Sequence, residues 1–280
     1  MNTLVTHNGI FHADEIFAIA ALRAAGYKFE ILRSRDPKVI GAADIVVDVG
    51  GIYDPDSMRF DHHHFHDGDQ NYGRSAFGLV AEYLWGSDFD NEVMADLVKV
   101  VDARDTRVDY DPSNTWDQYL GYLGDLNALD IQGIDQEMAF SKALNFAEKI
   151  IRAIQAREIF SPEAGKIFDE LEAAAAASRS EKEKIFEGRA KAAKPLKVGN
   201  WDFVEIEGFV GLKDIQAHHE GVCGSIFHDP QTSEVKVTVD TDHLVITKKS
   251  KGAKFVHANG FFAVWSKEDW DLDNLILEGV

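Results

Sequence analysis

Short apolar runs alternate with helix-favouring segments along the N-terminal part of the chain. Leu4-Val5-Thr6 reads as the end of a buried strand, followed by the polar turn His7-Asn8-Gly9. Phe11-His12-Ala13-Asp14-Glu15 then opens a helix over Ile16 to Ala25 that Gly26 closes. Phe29-Glu30-Ile31-Leu32 predicts a second strand, Asp36-Pro37-Lys38 a brief helical turn, and Asp44 to Val49 a third strand. That strand is almost continuous Ile and Val, the pattern of a strand covered on both faces, so a parallel sheet flanked by helices is expected. Gly50-Gly51 permits a sharp turn and Asp54-Pro55-Asp56-Ser57 a β-turn. Two helices follow. Ser75 to Trp85 has Ser75 as N-cap and Gly86 as stop, and Glu92 to Ala103 aligns Val93, Leu97, Val100 and Val101 on one face.

From Tyr110 to Gly133 the pattern reads as loop. Asp135 to Ala193 is charged, alanine-rich and helical, broken at Pro162, with Ala173 to Ala177 a solvated connector or arm. Beyond Pro195 the period shortens to strands at Phe203 to Ile206, Val222 to Phe227, Val235 to Val239 and Leu244 to Thr247, with a terminal helix expected near Lys267 to Leu277. The expected fold is α/β: a parallel-sheet domain with flanking helices over residues 1–134, a helical connector over 135–193, and a smaller α/β domain over 194–280.

Composition narrows the chemistry. A chain of 280 residues that is 45% hydrophobic can bury a sizeable core. No stretch approaches the roughly 18 to 20 apolar residues of a membrane span, and Met1 to Val5 lacks the pattern of a signal peptide, so a cytoplasmic location without membrane partners is expected. Cys223 is the only cysteine, which excludes an intramolecular disulfide and a thiolate cluster; a metal here must sit on His, Asp and Glu. A net charge of -19 argues against a broad basic surface for long nucleic acid but leaves short or single-stranded substrates open.

The densest chemistry lies in Asp61-His62-His63-His64-Phe65-His66, shortly after the strand that ends at Asp48. Imidazoles and carboxylates this close are costly to assemble unless they share a cation. Asp48 suits a carboxylate bridging two divalent ions. His7 and His12 could complete one ion, and Asp14, His62 and Asp102 the other. Asp61 would orient an imidazole, and His63 would face the substrate phosphate or the leaving group. Asp102 and Asp105 stand at the C-terminal end of a helix, where the dipole disfavours a carboxylate and a cation would compensate. The mixed His/Asp set suits Mn²⁺, with Mg²⁺ as the alternative.

These residues also resemble a known superfamily. Asp61-His62-His63 resembles the signature of the DHH phosphoesterases. Thr6 to Glu15, together with Asp48-Val49-Gly50-Gly51-Ile52-Tyr53-Asp54-Pro55 running to Arg59-Phe60-Asp61-His62-His63, is similar to their melanocyte proliferating gene protein branch, associated with metal-dependent 3'-5' exonuclease activity on RNA. The resemblance implies ligand roles for His7, His12, Asp14, Asp48, His62 and Asp102 and a substrate-facing or ligand role for His63. It also makes His257-Ala258-Asn259-Gly260-Phe261 similar to a substrate-side loop. His64 and His66 are additions to that pattern. Thr106-Arg107 stands where the family tends to have Asn-Gly, and Phe262-Ala263-Val264-Trp265 where glycines are expected.

The combined expectation is a hydrolase in which a water activated by two metals attacks a phosphodiester of short single-stranded RNA or an oligonucleotide. The catalytic residues would be Asp48, Asp61 and His63. His63, Arg74, His257 and Gly260 would meet substrate, with Lys213 and Lys254 as further phosphate contacts. A small-molecule phosphatase or pyrophosphatase is the enzymatic alternative. A metal-stabilised scaffold that assembles, as a homo-oligomer for instance, through the helical arm is the alternative from another class.

Overall fold

The computed structural model describes residues 2–86, 91–127, 135–229, 234–257 and 259–279. The chain forms two compact units, Met1–Arg179 and Ser180–Val280. In the first, β1 (Asn2–Thr6) leads through a turn to α1 (Ala13–Ala24), then β2 (Phe29–Arg33), α2 (Pro37–Ala42) and β3 (Ile45–Val47). A hairpin of β4 (Tyr53–Asp54) and β5 (Arg59–Phe60) follows, closed by a 3₁₀ turn at Pro55–Ser57 where the sequence suggested a simple β-turn. The sheet order is β2-β1-β3-β5-β4, parallel except for β4.

Alternation along β1 and β3 covers both faces, as the Ile/Val pattern required. Leu4, Ile45 and Val47 join the large core under α1, while Val5 and Val46 face the other way against Val39 and Ile40 of α2. Helix α1 is buried on every side from Asp14 to Leu22. It is flanked by α3 (Ala76–Trp85), capped by the Ser75 hydroxyl accepting from the Gly78 amide, and by α6 (Gln136–Gln155). Helix α4 (Glu92–Thr106) runs a turn further than its apolar stripe, and Arg107 ends it in the left-handed conformation at φ 63°.

The region read as loop after Tyr110 contains α5 (Thr115–Asp125), whose signal was the Asn114 N-cap rather than a long apolar run. Positions 128–133 of that reading lie outside the described residues. The helical segment beyond it breaks where Pro162 demands, Pro162 being the first residue of α7 (Pro162–Ala192). Helix α6 is no solvated arm: Phe140, Ala143, Leu144, Ala147, Ile150 and Ile151 are buried in the core of the first unit. In the alanine run, Ala175 is buried while its neighbours are mostly exposed.

The second unit holds a six-stranded sheet, ordered β11-β12-β9-β8-β7-β6. Its strands are β6 (Lys194–Val198), β7 (Trp201–Glu207), β8 (Gly224–Asp229), β9 (Glu234–Val239), β11 (Phe255–Val256) and β12 (Phe262–Ser266), and α8 (Leu212–Gln216) links the parallel pair β7 and β8. Pro195 sits in β6 at the sheet edge, where a missing N–H is tolerated. Phe262 to Trp265 form β12, with Trp265 fully buried. The terminal helix expected at Lys267 to Leu277 does not form. Asp271 instead caps a 3₁₀ turn at Leu272–Asn274, and β13 (Leu277–Gly279) pairs with β10 (Leu244–Ile246). An Asp side chain that bonds its own backbone favours a turn over a helix, and Asp271, accepting from the Asp273 amide, outweighed the spacing of the apolar residues there. No helix among the described residues is long and apolar enough to cross a membrane.

Candidate metal centre

Three neighbouring parallel strands deliver the site. His7 follows β1, Asp48 follows β3, and Asp61-His62-His63 follows β5, so the residues converge at the carboxyl ends of the strands, where open α/β sheets place their ligands. Asp48 adopts a left-handed backbone at φ 57°, a costly conformation for a residue with a Cβ, and Gly50 and Gly51 continue the turn at φ 98° and 71°. The Asp48 amide still donates to the Phe60 carbonyl at 2.9 Å, which anchors the turn to the sheet. The loop carrying His7 and His12 is held from outside. Asn127 accepts from the Phe11 amide and donates to the Phe11 carbonyl, both at 2.9 Å, while Arg33 and Gln136 donate to the Gly9 carbonyl.

The side chains form three linked groups able to hold an ion: His7, His12, Glu15 and Asp48; Asp48, His62 and His63; and His12, Asp14 and Asp105. Asp48 belongs to two of them. Its Oδ2 lies 3.3 Å from His7 Nε2, and its Oδ1 lies 3.3 Å from His62 Nε2 and 3.5 Å from His63 Nδ1. His7 Nε2 is also 2.9 Å from Glu15 Oε1, and His62 Nε2 is 3.1 Å from Asp105 Oδ2. Close as these pairs are, His7 Nε2 and Asp48 Oδ1 are buried without an aligned hydrogen bond, and so is Asp14 Oδ1. Buried polar atoms are rarely left in that condition. Donor atoms that converge without bonding one another, all nitrogen or carboxylate oxygen, fit a divalent cation.

The electrostatics agree. The His7 imidazole is buried, which alone would lower its pKa, yet the Asp48 and Glu15 carboxylates raise it to about 10. His62 is partly buried, which would lower its pKa, and Asp105 and Asp48 raise it to about 10. Asp14, fully buried beside Asp48 and Asp105, is pushed well above the carboxylate range. In the ion-free protein, protons on the imidazoles supply positive charge that a metal would otherwise bring. Ligation needs neutral imidazole, so metal uptake should expel up to about two protons, and apparent Mn²⁺ affinity should rise as much as roughly 100-fold per pH unit between pH 7 and 9. Titration calorimetry in buffers of different ionisation enthalpy measures the released protons. The sign reverses for the chelated protein. With folded pKa values raised, the imidazolium contribution to stability is full below pH 6.5 and is lost as pH rises through about 10, so its melting temperature should fall over that range.

Asp61 is fixed by the Gly51 amide at 2.6 Å and the His63 amide at 3.1 Å, and its Oδ1 lies 2.6 Å from His63 Nδ1. The Asp61 hydrogen bond raises the His63 pKa above its ordinary value against partial burial. The ring remains 61% exposed, so the Asp61 carboxylate meets a half-open imidazole.

Other expected residues fall outside the three groups. Asp102 faces the start of α3, accepting from the Ser75 amide at 2.9 Å and the Ser75 hydroxyl at 2.6 Å, and burial raises its pKa to about 6. It belongs to none of the three groups, whereas Asp105, one turn later, does. Asp105→Asn should therefore weaken Mn²⁺ binding about 10-fold or more. Asp102→Ala should keep it and cost about 1–3 kcal/mol of stability by orphaning the Ser75 amide; metal titration and thermal melts separate the two. Glu15 is a further residue of these groups that the sequence did not single out. It is fully buried, and its Glu-at-N3 spacing, with the carboxylate accepting from the His12 amide, was visible only as a helix-capping signal.

Arg74 lies beside α3, 3.5 Å from Glu82. His64 and His66 are exposed and outside all three groups. His257 and Gly260 belong to the second unit. Gly260, at φ 69°, is needed by the sheet itself, since a Cβ would lie 2.8 Å from the Ile246 carbonyl oxygen. Lys254 pairs with Glu234 at 3.3 Å, and Lys213 lies on α8.

Comparison with known proteins reaches the same part of the chain. A protein-family model named MYG1_exonuc and described as "Uncharacterised protein family (UPF0160)" matches residues 3–110. "MYG1 exonuclease" of Bos taurus and of Homo sapiens are each 57% identical to this chain over 60 residues, covering 21% of this chain and 16% of theirs. A "MYG1 protein" of Chlamydia pneumoniae is 44% identical over 82 residues, covering 28% of this chain and 27% of its own. The matched stretch is thus under a third of the length of these relatives. The crystal structure of an uncharacterized protein from Helicobacter pylori G27 overlays with a TM-score of 0.34 and 10% identity over 85% of this chain and 86% of that one, a likeness too weak to bear on the fold. Every residue of the three metal-capable groups lies within the span matched by the family model.

Proposed function

We propose that this chain is a metal-dependent phosphodiester hydrolase of the DHH phosphoesterase type, an exonuclease acting on short single-stranded RNA or oligonucleotides with two Mn²⁺ ions. The observation that carries the reading is Asp48. One buried carboxylate stands between imidazoles from two separate segments, His7 on one oxygen and His62 on the other, the arrangement that would let it serve two ions. The exonuclease name of the mammalian relatives supports the reaction class. The net charge of -19 favours short substrates over long ones.

On this reading His7, His12, Glu15 and Asp48 hold one ion, and Asp14, His62 and Asp105 join Asp48 around the second. Divalent ions bound there would polarise a phosphoryl oxygen and lower the pKa of a water. Asp61 holds His63 in one orientation through Nδ1, and that hydrogen bond raises the ring's pKa above its ordinary value. His63 can therefore give a proton or a hydrogen bond to the leaving oxygen.

The test compares purified protein with Mn²⁺, before and after chelation, on short single-stranded RNA, a linear dinucleotide and pyrophosphate. Shortening of RNA from the 3' end that chelator abolishes is expected. Turnover of pyrophosphate alone would replace the exonuclease with a small-molecule phosphatase, and metal binding without hydrolysis of any of the three would sink the hydrolase reading.

A further inference from the structure

Beside the metal-capable cluster lies a cavity of about 470 Å³, within the roughly 300–1,000 Å³ of small-molecule sites. His12, Asp14 and Asp105 line it together with Arg104, Arg107 and the apolar side chains of Ile10 and Leu120. We infer that this cavity takes one nucleotide unit of the substrate, with Arg107 and Arg104 engaging its phosphate and Ile10 and Leu120 meeting the nucleoside. The inference rests on the phosphodiesterase reading and adds to it a pocket that selects a nucleotide.

The two arginines are built in through one acid. Asp117, buried in α5, accepts from Arg104 Nη1 at 2.6 Å and from the Tyr110 hydroxyl at 3.1 Å, and the Arg107 guanidinium lies 4.8 Å over the Tyr110 ring. Arg104 is thus set directly and Arg107 through the ring beneath it. Arg107 makes no ion pair among the described residues and is exposed, so its charge is open to a ligand. It also occupies a left-handed helix end at φ 63°, where glycine would be the relaxed choice. Guanidinium is the side chain best matched to a phosphate, and an apolar wall beside it suits a base or ribose. Asp105 on the same wall would repel a phosphate unless its charge were shared with a cation, so occupation should depend on metal.

Uridine 5'-monophosphate and uridine, titrated by calorimetry into the full chain with Mn²⁺ and after chelation, test this without turnover. The monophosphate should bind with Mn²⁺ and weaken on chelation. Arg107→Gly, which suits the backbone there, should keep the fold and weaken monophosphate binding roughly 10-fold or more, leaving uridine unchanged. Arg107→Lys should recover part of the loss, and Arg107→Gly should raise the KM for short RNA more than it lowers kcat. Equal monophosphate affinity in wild type and Arg107→Gly, or no binding by wild type at millimolar concentration, overturns the pocket even if RNA is cleaved. Arg107-dependent binding by a protein that cleaves no RNA upholds the pocket and removes the hydrolase reading instead.

Discussion

Asp48→Asn should reduce Mn²⁺-dependent hydrolysis of short RNA by well over 100-fold while leaving the protein folded. Loss of a partner that merely orients a ligand already costs about 10–100-fold, and Asp48 is placed to be a ligand itself, with a share in two of the three groups. The amide keeps the shape and one acceptor oxygen but removes the negative charge that faces His7 and His62 at 3.3 Å. Two measurements accompany the rate. Metal analysis after desalting should show fewer ions retained, and titration of the chelated variant should find the imidazoles of His7 and His62 losing their protons at lower pH, since Asp48 is among the causes that raise both. Circular dichroism guards against unfolding, because Asn also tolerates the left-handed backbone of position 48. Full activity in a folded Asp48→Asn protein would end the two-ion reading.

Gly78→Ala should cause a large loss of stability from a single methyl. A Cβ at position 78 would lie 2.3 Å from Asp102 Oδ1 and 2.5 Å from Oδ2, far inside contact distance, on a helix whose neighbours Phe77 and Leu79 are fully buried. Helix α3 cannot retreat without opening the core, so the carboxylate must leave Ser75. Overpacking costs about 1–3 kcal/mol and an orphaned buried donor about as much again. A loss of roughly 3 kcal/mol or more follows, lowering the melting temperature by about 6–12 °C. Combining Gly78→Ala with Asp102→Ala should cost less than the sum of the two, because the second change removes the atoms the methyl strikes. Additive effects would show that the clash is relieved elsewhere.

These two residues mark how far the sequence could be read. Asp48 was legible because it closes a strand of Ile and Val and precedes two glycines, and the helix led by Ser75 was legible from its cap and stop. Gly78 carried no signal: a glycine inside a helix reads as a local weakness until the carboxylate from α4 is seen against it. The same holds for the choice between two acids on one helix. Asp102 and Asp105 are a turn apart, and only the packing of α4 against α3 turns the first toward Ser75 and leaves the second 3.1 Å from His62. The terminal segment misread as helix failed for a local reason, since the Asp271 side chain satisfies the backbone in a turn.

By itself the sequence determined β1 to β3, α1, the helices led by Ser75 and Glu92, the strand-end positions of His7 and Asp48, and the exclusion of thiolate chemistry. Those follow from hydrophobic period, caps and residue type, which are properties of neighbours along the chain. Tertiary structure alone decided that Glu15 and Asp105 join the cluster and that His64 and His66 stand outside it. It also decided that Arg104 bonds Asp117 and that Arg107 lies over the Tyr110 ring. Each of those outcomes depends on the direction a side chain takes once separate elements are packed, and no spacing in the sequence encodes that direction.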